Sequence, residues 1–172
     1  MAMQHIGSVS GTGSSAIMTL TSVPNTYETL LLRGVGHSTN AASVEAYMRF
    51  NSDSGYVYDN LRGGRKDGAT FTGNGANGSM NHFAYIPGTD QGSVLAQIEM
   101  DIAGYRAAAD QPGVCGFFSK SNFMYDGSDN AQMIWTGWYD GSNVDITTIS
   151  FHLSSGNWGT SSKFDLYGRT GE

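Results

Sequence analysis

The stretch Asp145–Gly168, DITTISFHLSSGNWGTSSKFDLYG, decides the fold. Apolar residues at 149, 151 and 153 alternate with polar ones at 150, 152 and 154, and a second alternation begins at Phe164 after a loop of glycine, asparagine and serine. A period of two is the mark of a β-strand with one face on a core and one face in water. We expect two strands here, joined through Ser155–Ser162 as a long antiparallel hairpin.

The same alternation recurs along the chain. Val44–Asn51 and Ser93–Ile102 carry apolar residues at every second position, and Trp135 and Trp138 have opposite parity on one strand, so they cannot both face the core. About nine or ten short strands with Gly-, Asn- and Asp-rich turns, and a helical hint only at Ala107–Gln111, predict an all-β fold. The expected architecture is a two-sheet antiparallel β-sandwich of jelly-roll type, with an up-and-down barrel as the alternative.

The length of 172 residues predicts a single β-sandwich domain over residues 1–172. Residues 63–78 contain six glycines among Arg, Lys, Asp and Asn. Long segments of this composition usually carry an interaction or stay irregular. We therefore expect residues 63–78 to form an exposed Gly-rich loop or hairpin arm.

The composition excludes several classes of function. Only 14% of the residues are charged, against about 25% in ordinary globular chains, so Ser, Thr, Asn and Gly must make up the surface, as is common in extracellular and virion proteins. The basic cluster Arg62, Arg65 and Lys66 is too small for a phosphate-tracking groove, and we expect no nucleic-acid partner. No apolar run approaches the roughly 20 residues of a membrane helix, and no secretory signal is visible, so we expect no membrane insertion.

Residues that could carry chemistry are scattered. No G-x-S-x-G elbow surrounds a serine, and the four histidines lack zinc-ligand spacing, so we predict no catalytic residue, no metal and no cofactor. The single cysteine, Cys115, excludes a disulfide framework and is predicted to be a small buried apolar residue. Calcium is an alternative for the aspartates in the turns, but Asp also takes turn positions by bonding its own backbone. These aspartates are Asp53, Asp126, Asp129, Asp140 and Asp145.

Aromatic residues near loops and polar faces are the better clue to a site. Rings in such places can anchor a protein interface, stack on a glycan, or plug the end of the sandwich. Trp158 lies in the loop GNWG, and the tyrosines flank turns. The candidate interface or glycan contacts are Trp138, Trp158, Tyr56, Tyr58 and Tyr125.

Four segments together resemble a family of tailed-bacteriophage virion proteins. They are SGTGSSAIMTLTSVPNTYETLLLRGVG at 10–36, YMRFNSDSGYVYDNL at 47–61, FAYIPG at 83–88 and ISFHLSSGNWGTSSKFDLYG at 149–168. The resemblance depends on the order and spacing of these segments, and it extends from Gly7 to Gly168. The tripeptide Asn51, Ser52 and Asp53 matches the turn of the family, and we interpret the role of these residues as structural.

The resemblance implies a virion structural protein with a β-sandwich fold and no enzymatic activity. The chain has no coiled-coil stalk or collagen-like repeat, which favours a capsid decoration (cement) protein, made in the host bacterial cytoplasm, that binds across capsid subunits as a homotrimer. Its expected partners are the major capsid protein or other virion proteins. The alternative is a tail-fibre or tail-associated protein that binds a receptor or a host-surface glycan.

Overall fold

The structure is a computed structural model that describes residues 2–54, 58–66, 69–78, 80–106, 114–124, 130–140 and 145–170. Within these ranges the fold is all-β, as predicted, and the single helical segment is a 3-10 turn at Thr89–Gln91. Among the described residues no helix is long and apolar enough to cross a membrane. The helical hint at Ala107–Gln111 lies outside the described residues.

Twelve strands, numbered β1 to β12 in chain order, form two antiparallel sheets within the described ranges. Their bounds are Ala2–Ser10, Ile17–Leu20, Thr29–Gly36, Val44–Phe50, Tyr58–Lys66, Ala69–Gly78, Asn81–Ile86, Ala96–Ala103, Val114–Met124, Asn130–Asp140, Ile149–Leu153 and Lys163–Thr170. The large sheet has the order β1-β12-β3-β8-β9-β10-β5-β6, and the small sheet has the order β2-β11-β4-β7.

The pairing pattern explains how the chain winds. Strands β1 to β4 pair with β12, β11, β8 and β7 in turn, as the two arms of one long hairpin would. Further pairing of β12 with β3 and of β11 with β4 wraps that hairpin into two layers. The antiparallel β-sandwich is thus confirmed, and the jelly-roll type remains our interpretation of this strand order.

Alternation along the strands builds the core. In β4 the side chains of Val44, Ala46, Met48 and Phe50 are buried, while the residues between them are partly exposed. β8 repeats this pattern with apolar residues at 96, 98, 100 and 102. These inward faces join one apolar cluster between the sheets, so the period of two confirms which face of each strand is buried.

The predicted closing hairpin is wrong. β11 pairs with β2 and β4 in the small sheet, whereas β12 pairs with β1 and β3 in the large sheet. Residues 154–162 therefore cross from one layer to the other instead of turning between neighbouring strands. The reason is that a period of two fixes which face of a strand is buried but not which sheet contains the strand.

The Gly-rich segment 63–78 corresponds to the hairpin-arm alternative. β5 and β6 pair antiparallel over most of their length, and β5 also pairs with β10. Glycine is required at Gly64, because a Cβ there would lie 2.4 Å from the carbonyl oxygen of Gln132 on β10. Residues 67 and 68, between β5 and β6 in the sequence, lie outside the described residues.

A side chain at the end of β4 ties this strand to the segment that precedes β11. Asn51 has a positive φ of 49°, a conformation that asparagine tolerates better than most residues. Its Oδ1 accepts hydrogen bonds from the backbone N–H groups of Thr147 (2.9 Å) and Thr148 (3.2 Å), and its Nδ2 donates to the carbonyl of Asp145 at 2.9 Å. The turn that the sequence assigns to Asn51 is therefore a structural connection between two strands.

We expect Asn51→Ala to lower the free energy of unfolding by about 2–4 kcal/mol, because it removes the hydrogen bonds of the Asn51 side chain and places alanine at a positive φ. Asn51→Asp keeps the acceptor oxygen and should lose about half as much. Chemical denaturation of both variants measures the difference, and equal losses would show that the side-chain bonds do not carry the effect.

Candidate functional site

The outer face of the large sheet carries an apolar patch on β9 and β10. It consists of Phe118, Ile134, Thr136 and Trp138 and is called the β10 patch below. The odd-numbered residues of β10 from 131 to 139 are buried, so its even-numbered side chains point outward. Ile134 and Trp138 are 46% and 48% exposed, and Phe118 lies directly opposite Thr136 on the neighbouring strand.

Trp138 has open space on its β9 side. The residue opposite it is Gly116, and a Cβ built at Gly116 would meet no atom closer than the carbonyl oxygen of Gly137 at 4.0 Å. The flank of the indole therefore faces a gap about as wide as a missing side chain. Flat exposed rings beside such gaps can receive an apolar side chain or a sugar ring.

The other half of the outer face is charged. The acidic and basic side chains on β12, β3 and β8 pair with one another, and two of the pairs have N···O distances of 2.9 Å. Exposed ion pairs contribute little to stability, but each must lose water when a partner covers it. The pairs are Arg33–Glu99, Lys163–Asp165 and Arg169–Asp101.

Between the two halves lies a shallow depression of about 430 Å³, lined by residues of β3, β8 and β9. Gln97, Asn122 and Gln132 are in register across β8, β9 and β10, so three exposed carboxamides lie side by side at this end of the face. Lys120 extends from the depression toward the β10 patch, with its Nζ 5.4 Å from the ring centre of Phe118. The β10 patch thus has a polar border on this side.

The five aromatic residues predicted as contacts are placed differently by the structure. Trp138 is exposed, in the β10 patch. Trp158 is fully buried, which corrects the prediction that it is a surface contact. Its Nε1 donates to the carbonyl of Phe151 at 3.1 Å, so the indole ring of Trp158 packs as part of the core. Tyr56 and Tyr125 lie outside the described residues, as does the side chain of Tyr58.

A polar cluster that the sequence does not reveal connects the two sheets beside β7. The carboxylate of Glu45 accepts hydrogen bonds from the hydroxyls of Tyr47 (2.7 Å) and Tyr85 (2.9 Å). The ring of Tyr85 in turn lies 5.9 Å from both Phe123 and Trp135 on the large sheet. Glu45 and Tyr47 share one face of β4, and Tyr85 lies directly opposite Glu45 on β7. The pairing of β4 with β7, which the sequence does not indicate, completes the cluster.

Ser150 and His152 form a serine–histidine pair on the outer face of the small sheet. Ser150 Oγ and His152 Nε2 are 2.8 Å apart. Burial and the neighbouring Arg49 cation lower the pKa of His152. A catalytic triad holds its histidine with a carboxylate that stabilises the imidazolium, whereas a cation disfavours it. This pair is thus built for packing and hydrogen bonding.

Metal ligation has little support in the part of the chain that the structure describes. No group of three or more His, Cys, Asp or Glu side chains there could hold an ion. Asp53 accepts a hydrogen bond from the Tyr139 hydroxyl at 2.8 Å, and Asp145 accepts one from Asn25 at 2.8 Å. Cys115 is buried as predicted, and burial raises the pKa of its thiol.

Comparison with known proteins gives no assignment: no protein-family model matches the chain, and no curated protein matches it significantly.

Substitutions of the two tryptophans should differ in their effect on stability, because one ring is in the core and the other is on the surface. We expect Trp158→Ala to lower the free energy of unfolding by about 3–5 kcal/mol, because it opens a cavity and leaves the Phe151 carbonyl without its donor. Trp138→Ala should change it by no more than about 0.5 kcal/mol. Urea denaturation of both variants tests this, and a large loss at Trp138 would mean that its ring is structural.

His152 should make stability depend on pH. Because the folded protein lowers the pKa of His152 from its ordinary 6.5, the unfolded chain binds the proton first as pH falls. Stability should therefore decline as pH drops from 6.5 toward the lower folded-state pKa. His152→Gln should be less sensitive over this interval, as measured by denaturation midpoints at several pH values. Parallel pH profiles for the two proteins would refute this role.

Proposed function

We propose that the protein is a structural component of a tailed-bacteriophage virion, and that it decorates the capsid by binding across capsid subunits. The observation that carries the proposal is the β10 patch, with an exposed tryptophan and isoleucine on the outer face of the large sheet. The resemblance of the four sequence segments to phage virion proteins supplies the biological setting. The role is adhesive and requires no reacting group.

The composition of the β10 patch suits a protein partner. Aromatic and aliphatic side chains in the centre of an interface supply most of its binding energy when a polar border excludes water around them. Trp138 and Ile134 provide the anchors, and the carboxamides with Lys120 provide the border on one side. The buried face of β10 holds the anchors on a rigid strand, which lowers the entropic cost of binding.

Charge distribution indicates which half of the outer face a partner would cover. Over β12, β3 and β8 a partner would have to desolvate paired charges such as Arg33–Glu99, and the pairing often fails to compensate for that cost. Over β9 and β10 it would cover apolar and amide groups together with one ammonium group, that of Lys120. We therefore infer that the capsid contact is centred on Trp138. Many copies on a symmetric head would then stabilise it jointly.

A tail location with glycan binding is the second candidate. The gap above Gly116 beside the Trp138 ring favours it, since a sugar ring could stack there. Copy number separates the two candidates. Quantitative mass spectrometry of purified virions should find hundreds of copies for a capsid protein and at most a few dozen for a tail protein.

The binding test uses heads stripped of the protein and purified variants added back. We expect Trp138→Ala to weaken binding by about 30-fold, because central interface anchors contribute about 2 kcal/mol or more. Ile134→Ser should weaken it by a smaller factor. The matched control is Ile17→Ser, since Ile17 is 48% exposed but lies on the small sheet.

Three outcomes are informative. Weaker binding of Trp138→Ala and Ile134→Ser to the heads, together with normal binding of Ile17→Ser, supports the proposal. Equal binding of all variants contradicts the β10 patch as the contact, while a high copy number on the head would still support decoration. A low copy number with glycan-array binding that Trp138→Ala abolishes would favour the tail candidate instead.

A further inference from the structure

The first strand is a long free edge of the large sheet. β1 pairs with β12 on one side, and no described residue pairs with it on the other. Its nine residues are mostly exposed, and Met3 is 51% exposed. A free edge presents a row of unpaired backbone N–H and C=O groups, which is a template for another strand.

The other described edge strands are less suited than β1 to pair with a further strand. The edge strand β2 has four residues. At β7 the large sheet covers the strand: Ser119 Oγ donates to the carbonyl of Phe83 at 2.9 Å, and Asn81 Nδ2 contacts the carbonyl of Trp138 at 3.4 Å. β6, at the opposite end of the large sheet, is rich in glycine and asparagine, which form strands poorly.

The sequence of β1, AMQHIGSVS, lacks the usual protection of an edge. Natural edge strands avoid association by carrying lysine, other charges or proline, and Ala2–Ser10 contains no Lys, Arg, Asp, Glu or Pro. The one protective device is a bulge between His5 and Gly7. It divides the edge into two short segments, so it limits pairing to part of the strand without preventing it.

We propose that β1 is a dimerisation strand that pairs antiparallel with β1 of a second copy of this chain. Two copies of β1 can pair without charge repulsion, because the strand carries no Lys, Arg, Asp or Glu that would face a like charge on the second copy. Antiparallel self-pairing generates a two-fold axis and covers the paired segment of both β1 edges in the dimer. This inference is independent of the proposed function and differs from the homotrimer expected from the resemblance.

Cysteine cross-linking of the full chain tests the pairing. Single cysteines are placed in turn at Met3, Gln4, Ser8 and Ser10, and the protein is oxidised; the native Cys115 is buried and should not react. In an antiparallel pair the residues facing each other at the two-fold axis have Cα atoms about 4.5–5.5 Å apart, within reach of a disulfide. We expect efficient cross-linked dimer for cysteines near the axis and little for Gln132→Cys, on an interior strand.

Sedimentation across a concentration series supplies the second measurement. We expect a monomer–dimer equilibrium whose dissociation constant rises at least about tenfold when lysines replace the two β1 residues that cross-link most efficiently, because these lysines would then oppose each other across the axis. The control Ser93→Lys/Ser155→Lys adds the same charge at exposed positions outside β1 and the β10 patch and should leave the constant unchanged. A monomer at every concentration, a trimer, or a dimer that both lysine pairs affect equally would overturn the proposal. A monomer that captured an extended segment of another protein on β1 would likewise overturn it.

Discussion

Burial of Trp158 is the constraint on which the rest of the sandwich depends. Its indole is held inside the core by the carbonyl of Phe151 and packs edge-on against Phe164, with 5.4 Å between ring centres. Its backbone N–H donates to Ser15 and its carbonyl accepts from Gly13, while Gly159 donates to His37. Three loops that carry the chain between the sheets, after β1, β3 and β11, therefore meet at one residue. The layers are fixed relative to each other at this end.

The packing of the small sheet on the large sheet supports the strand that carries Trp138. The edge strand β7 of the small sheet lies against β9 and β10, to which it is joined by hydrogen bonds from Ser119 to Phe83 and from Asn81 to Trp138. Beside β7, the Glu45 cluster places Tyr85 against Phe123 and Trp135. The inward side chains of β10 are therefore buried. The consequence is that Trp138 projects from a strand whose other face is packed in the core.

Sequence periodicity predicted local geometry well and connectivity poorly. The faces of β4 and β8 and the opposite parity of Trp135 and Trp138 follow from the pleat of a strand, which depends only on neighbouring residues. The prediction of a hairpin at residues 155–162 was wrong because two strands with the same alternation can lie in one sheet or in opposite sheets. The composition GNWG is typical of an exposed loop, yet tertiary contacts with two other loops cover Trp158. The β10 patch was predicted only through Trp138, since Ile134 and Phe118 resemble ordinary strand residues.

The difference between the two halves of the outer face comes from side-chain length. On β3, Leu31 points outward yet is fully buried: it lies between Tyr167 of β12 and Asp101 of β8, and Arg169 of β12 pairs with Asp101 across β3. Long side chains there fold over the sheet and shield apolar atoms from water. On the β9 side of Trp138 the residue opposite is Gly116, and Phe118 of β9 has the short Thr136 opposite it on β10. Between these two strands the apolar surface available to a partner therefore results from the small residues opposite the rings.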